Sequence, residues 1–133
     1  MVTKITIRTT IKPQEKSVND ELQWFCDSLG LFGSRDRDKS CFRMFVVLLR
    51  NLHNTRDGLS SDELSERIGL SRGTVVHHLH KLMDSGLVVH SRSKYNLRVK
   101  NLSSLIDEVE RDLLRAMNEL RVVAEDIDKR LKL

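Results

Sequence analysis

Only three residues, Gly69-Leu70-Ser71, separate two stretches that each begin like a helix. Upstream, Ser60-Ser61-Asp62-Glu63 supplies a capping box, a Ser at the cap and a Glu three residues on. The helix it opens carries Leu64 and Ile68 on one face and stops at Gly69. Downstream, Ser71 caps a second helix over Arg72 to Asp84, with Val75, Leu79, Leu82 and Met83 on one arc and Gly86 as its stop. A connection this short, with a glycine in it, suits two helices that cross steeply. Leu87-Val88-Val89 and Tyr95 to Val99 then read as strands around a polar tip, Ser91 to Lys94, which predicts a two-stranded hairpin.

The flanking chain is mostly helical in pattern. Aromatics make up 5% of the 133 residues, and there are one Pro and six Gly, which fits helices built on Leu, Val and Ile. Thr3 to Ile11 alternates, with Ile5, Ile7 and Ile11 on one face, and is expected to form a strand. Pro13 ends it and Gln14 to Lys16 read as a linker. Ser17 to Asp20 caps a short helix over Glu21 to Leu29, with Leu22, Phe25, Cys26 and Leu29 at helical spacing. A charged loop at 33–38 leads to a helix over Lys39 to Leu52, whose stripe is Phe42, Phe45, Val46, Leu49 and Leu52. Polar residues from His53 follow, and Asp57-Gly58 marks a turn. Leu102 to Leu131 reads as one helix, about 45 Å long at about 1.5 Å per residue.

The arc of the Arg72–Asp84 helix opposite its apolar residues holds Gly73, Thr74, His77, His80 and Lys81. A helix with small side chains at its start fits deep in a major groove. Gly73 permits close approach to phosphate, and the Ser71 end offers free N–H groups and a positive dipole end. Thr74 and His77 are candidates for base edges, and Val76 for a thymine methyl. Net charge is +4, which permits a polyanion partner without demanding one. Its placement is more informative. Between Ser71 and Lys100 six Lys/Arg (Arg72, Lys81, Arg92, Lys94, Arg98, Lys100) stand against one acid, Asp84, whereas from Asn101 onward six stand against eight acids. Arg92 and Lys94, at the hairpin tip, are candidates for phosphate or minor-groove contacts.

From Leu59 to Val88, and most specifically over Ser71 to Val88 with its S-R-x-T-V-x-x-H-L-x-x-L-x-x-x-G-L-V pattern, the chain resembles the winged helix-turn-helix of ArsR/MarR-type regulators. The resemblance implies a mainly α fold with a small β-hairpin. The N-terminal strand and short helix would occupy 1–37, the winged helix-turn-helix 38–100, and a coiled-coil-like dimerisation helix 101–133. It implies a sequence-specific regulator of transcription that binds double-stranded DNA as a homodimer, with repression as the default mode. A winged-helix protein–protein adaptor, or a non-specific architectural DNA-binding protein, is the alternative. The adaptor would tolerate loss of Thr74, His77, Arg92 and Lys94.

Within the last helix, Ile106, Leu113, Leu120 and Ile127 recur every seven residues, with Val109, Ala116 and Val123 three later. Met117, Ala124 and Leu131 widen the stripe. That is an a/d pattern over about three heptads. Intersubunit packing is the preferred reading, and an intramolecular helix in a monomer is the other. Leu22, Trp24 and Phe25 are expected to join the interface.

Nothing points to catalysis: there is no Gly-rich phosphate loop and no nucleophile motif. No metal or cofactor is expected. Many ArsR-type sensors bind metal through Cys or His in helices that here hold none, and His77 with His80, three apart on a helix, is a weak pair. Cys26 and Cys41 form no CxxC and read as reduced thiols, either of which is a possible redox trigger. The longest apolar run, Met44 to Leu49, is far short of a membrane span, and no N-terminal stretch resembles a signal peptide. A cytoplasmic protein is expected. Any small-molecule effector stays open.

Overall fold

A computed structural model describes residues 4, 6–8, 11–12, 14, 17–30, 39–53 and 58–133. Among these described residues, five α-helices and one antiparallel hairpin follow in the order α1 (Val18–Ser28), α2 (Ser40–Arg50), α3 (Ser61–Ile68), α4 (Arg72–Asp84), β1 (Val88–Ser91), β2 (Lys94–Leu97) and α5 (Leu102–Leu131). The mainly helical fold with a small hairpin and a long last helix is as expected from the sequence.

The caps explain most of the boundaries. The Ser17 side chain accepts from Asp20 N and starts α1 at Val18, three residues before the expected Glu21. In α3 both halves of the capping box form: Ser60 Oγ accepts from Glu63 N at 3.1 Å, and Glu63 Oε1 accepts from Ser60 N at 3.2 Å. Asn101 caps α5 by accepting from Ser104 N at 2.8 Å. Such caps satisfy N–H groups that a helix cannot pair within itself.

The core is deepest along α2. Cys41, Met44, Phe45 and Leu48 are buried, whereas Val46, Leu49 and Leu52 of the expected stripe are only half-buried. The stripe turns because α2 is central: α3, α4 and β2 all pack against it. Its Arg43 reaches the other way and donates to the Ile68 carbonyl at 2.6 Å, closing the end of α3.

Two positions of the hairpin differ from the sequence reading. The tip shortens to Arg92-Ser93, because Ser91 pairs with Lys94 in the ladder. Both tip residues have positive φ, 52° and 64°, as a two-residue I′-type turn requires. The hairpin also gains a neighbour. Leu59 bridges Tyr95 through N–H···O bonds of 3.1 and 2.7 Å, which ties the start of α3 to the wing.

The expected strand over Thr3 to Ile11 is corrected as far as it is described; Thr3, Ile5, Thr9 and Thr10 lie outside the described residues. The others form no ladder. Lys4 N donates to the Asp84 carbonyl at 3.1 Å and Arg8 N to the Ser28 carbonyl at 2.8 Å, so this segment stitches the ends of α4 and α1. Helix-end carbonyls lack partners of their own, and here they take the N–H groups that a second strand would have taken. Ile7 and Ile11 are exposed. The charged loop at 33–38 and most of the polar turn before Gly58 also lie outside the described residues.

Only the first turns of α5 pack on the domain, through Leu105, Val109 and Asp112. Every residue from Met117 to Leu133 is exposed. No described helix is long and apolar enough to cross a membrane.

Candidate nucleic-acid interface

The two faces of α4 separate cleanly. Val75, Leu79 and Leu82 are 0% exposed. Arg72, Gly73, Thr74, His77, His80 and Lys81 are all exposed on the other side, and Val76 is half-buried between them. Amphipathic spacing of 3.6 residues per turn produces both faces at once.

At the helix start, Ser71 Oγ accepts from Thr74 N at 3.2 Å and lies 2.8 Å from Thr74 Oγ1. The Thr74 hydroxyl, a candidate base reader, is therefore already turned back onto the cap, and only its methyl and remaining hydrogen-bonding capacity face outward. Gly73 is open: a Cβ there would meet nothing within 4 Å. No contact among the described residues asks for glycine at this helical position. Gly73→Ala is expected to stabilise the fold by about 0.5–1 kcal/mol, the usual gain from Ala over Gly in a helix. The same methyl would stand between α4 and any closely approaching backbone, so DNA affinity is expected to fall. Thermal unfolding beside a binding titration checks both signs.

The wing cations divide. Arg92 is exposed at the tip and has no ion pair among the described residues. Lys94 is not available in the same way: its Nζ lies 2.6 Å from Glu63 Oε1, the carboxylate that also caps α3. This pairing joins wing and helix, and the sequence reading found only its capping half. Arg72 makes a long contact with Asp62 at 3.6 Å, with both side chains exposed, a weak interaction in water. Arg98 leaves the basic surface altogether. Its guanidinium is held by Asp112 at 2.5 Å and Glu108 at 3.1 Å, on α5. The hydrogen bond to Asp112 raises its pKa further, against the opposing effect of burial. Asp112 is buried, a position that the acidic pattern of α5 did not betray.

Glu63 has a pH signature. Its hydrogen bonds to Lys94 and Ser60 lower its pKa from 4.5 to about 2. A depressed carboxylate adds stability that is present above the ordinary value and lost as pH falls toward the folded one. Stability should therefore decline from about pH 4.5 down to about pH 2, and less steeply in Glu63→Gln than in the wild type. Parallel acid-unfolding curves of the two proteins test this.

Of the residues expected on an intersubunit face, Val109 is corrected: it is 8% exposed and lies in the core of its own chain. Ile106 sits at the margin, and Leu113 and Ala116 are half-buried. Met117, Leu120, Val123 and Ile127 are exposed. Trp24 and Phe25 of α1 are half-buried. Cys26 and Cys41 are 0% and 1% exposed. Burial, with Cys41 nearby, pushes the Cys26 thiol far above its ordinary range. A thiol so disfavoured as thiolate is a poor nucleophile, and both residues fill the core as small hydrophobes. Among the described residues, no three His, Cys, Asp or Glu side chains converge as a metal site would need.

Residues 43–91 match a family model described as a helix-turn-helix domain, which spans α2 through β1. No curated protein and no solved structure matches the chain. The chain thus carries a helix-turn-helix, with the exposed face of α4 as its second helix and the β1–β2 hairpin as its wing.

Proposed function

We propose that this protein is a sequence-specific, double-stranded DNA-binding regulator of transcription, acting in the cytoplasm as a homodimeric repressor of the ArsR/MarR type. One observation carries the reading. The second helix of a matched helix-turn-helix presents Arg72, Gly73, Thr74, His77, His80 and Lys81 together on an otherwise uncovered face. Arg72, Lys81 and Arg92 contact phosphate, joined by Lys94 when it leaves or shares Glu63. His77 and the Thr74 methyl, with Val76 beside them, face base edges. The exposed apolar residues of α5 pair two copies and so set two α4 helices on one two-fold operator.

Fluorescence anisotropy with short genomic duplexes across a salt series tests this reading. Tight binding to few duplexes, falling steeply with salt, is the expected result. Weak, equal binding to every duplex would favour an architectural role, and no binding a protein adaptor. Thr74→Ala is expected to lose about 1–3 kcal/mol of discrimination at one base pair. Lys94→Gln should weaken all duplexes alike and lower the salt slope. Indistinguishable behaviour of the two variants would remove Thr74 from the base-reading set.

A further inference from the structure

Glu63 meets two partners with one oxygen. Its Oε1 accepts from Ser60 N at 3.2 Å to close the capping box, and lies 2.6 Å from Lys94 Nζ on the wing. We infer that Glu63 is an internal competitor for DNA phosphate: its carboxylate occupies Lys94 in the free protein and holds the affinity for any duplex below what the basic surface would otherwise give. The inference rests on the DNA-binding reading above, not on its dimeric part, and adds a residue that opposes binding.

Three observations lead there. First, the charge of Glu63 has its partner in Lys94 rather than in the cap. A glutamine at the same place in a capping box reaches back to the same N–H, so a neutral side chain would serve the start of α3. A carboxylate and a phosphate offer a lysine ammonium the same thing, an anionic oxygen acceptor. Lys94 is therefore bound, before any DNA arrives, by a group of the same chemistry as the one it is proposed to contact.

Second, the exchange is open and local. The side chains of Lys94 and Glu63 are 38% and 43% exposed, so phosphate reaches the ammonium without unfolding. The wing has other anchors. Leu59 and Tyr95 bridge it to the start of α3, and Arg98 ties its base to Asp112 and Glu108. Glu63 for its part keeps Ser60 N. If Lys94 instead divides its three N–H donors between the two anions, carboxylate and phosphate stand side by side and repel. Either way the charge of Glu63 works against the duplex.

Third, the neighbouring cations are not held in this way. Arg92 at the tip has no ion pair among the described residues. Asp62, next to Glu63 on the same helical turn, stands 3.6 Å from Arg72 with both side chains largely exposed, a contact too loose to occupy it. The competition is confined to Lys94.

Fluorescence anisotropy with a labelled mixed-sequence duplex of about 20 base pairs, two helical turns, tests the inference across the wild type, Glu63→Gln, Lys94→Gln and the double variant. Phosphate contacts carry no sequence information, so no operator is needed. Glu63→Gln retains a capping side chain and should keep its circular dichroism. It is expected to bind about two- to fivefold tighter than the wild type at low salt, the scale of one exposed ion pair, with a salt slope steeper by up to about one. In the Lys94→Gln background the same change should leave the affinity nearly unchanged, and the difference between the two backgrounds isolates the pair. An equal gain in both backgrounds is general repulsion between an acid and DNA, and overturns the inference. So does a Glu63→Gln affinity equal to or below that of the wild type, which would make Glu63 a support for Lys94. In both of these cases the DNA-binding reading stands. No binding by the wild type at low salt overturns that reading itself, and the inference with it.

Discussion

Asp112→Ala is expected to lower the stability of the protein by about 2–4 kcal/mol, the scale on which removing one partner of a buried ion pair leaves the other uncompensated. The Asp112 side chain is 7% exposed and that of Arg98 27%. Removing the carboxylate takes away the 2.5 Å contact and leaves Arg98 with Glu108 at 3.1 Å. That residual pair keeps the effect below the upper end seen for fully isolated charges. Arg115, 3.9 Å from the other Asp112 oxygen with its side chain 74% exposed, adds little in water. The double variant Arg98→Met/Asp112→Leu is expected to recover most of the loss, because replacing both charges with apolar groups of similar size leaves nothing unpaired. Urea unfolding with equal m-values separates the two outcomes. A loss under about 0.5 kcal/mol in Asp112→Ala, the range of an ordinary surface change, would show that the pair does not hold the wing. Because Arg98 follows directly on β2 and Asp112 sits in α5, this contact joins the hairpin proposed to face DNA to the helix proposed for dimerisation. Weaker operator binding is expected to accompany the loss of stability.

Gly58→Ala is expected to be about as damaging, at about 3 kcal/mol, from a left-handed conformation costing roughly 1–2 kcal/mol and overpacking costing roughly 1–3 kcal/mol. Gly58 has φ +95°, and a Cβ would stand 2.6 Å from the Tyr95 carbonyl oxygen and 2.5 Å from Asn96 Nδ2. The oxygen is the less forgiving obstacle. It accepts from Leu59 N at 3.1 Å in the bridge that ties the wing to the start of α3. An added methyl must therefore push on the bridge itself. The variant should lose cooperativity in the wing first, visible as faster amide exchange at Leu59 and Tyr95 than at Val75 or Leu79. Uniform exchange across these four sites would place the strain elsewhere. The contrast with Gly73→Ala is sharp: one glycine is required by the chain's own backbone, the other by nothing among the described residues.

Much of the fold was legible because its signals are local. Ser60 with Glu63, Ser71 and Gly69 carry their structural meaning within three or four residues. Helix boundaries at α4 and α5 accordingly fell where the caps and periodicity put them. The exposed face of α4 was legible for the same reason, since a helix that buries Val75, Leu79 and Leu82 must turn Thr74, His77 and Lys81 outward. Resemblance to known regulators added the likeness of the whole unit, and the matched helix-turn-helix domain agrees with it over residues 43–91.

Tertiary structure decided the rest. Periodicity finds an apolar stripe but not how many neighbours press on it, so Met44 and Leu48 of α2 proved deeper than Val46 and Leu49. An alternating N-terminal segment announces a strand, yet whether it finds a strand partner depends on what lies beside it, and here helix-end carbonyls came first. Net charge and its clustering are readable in one dimension, but pairing is not. Lys94 and Arg98 counted as free cations in the sequence. Glu63, 31 residues before Lys94, and Asp112, 14 residues after Arg98, engage them in space. Val109 kept the heptad and still turned inward, because the same stripe serves the chain's own core at one end and stands open at the other. Local propensity acts through neighbours along the chain; burial and ion pairing act through neighbours that only folding supplies.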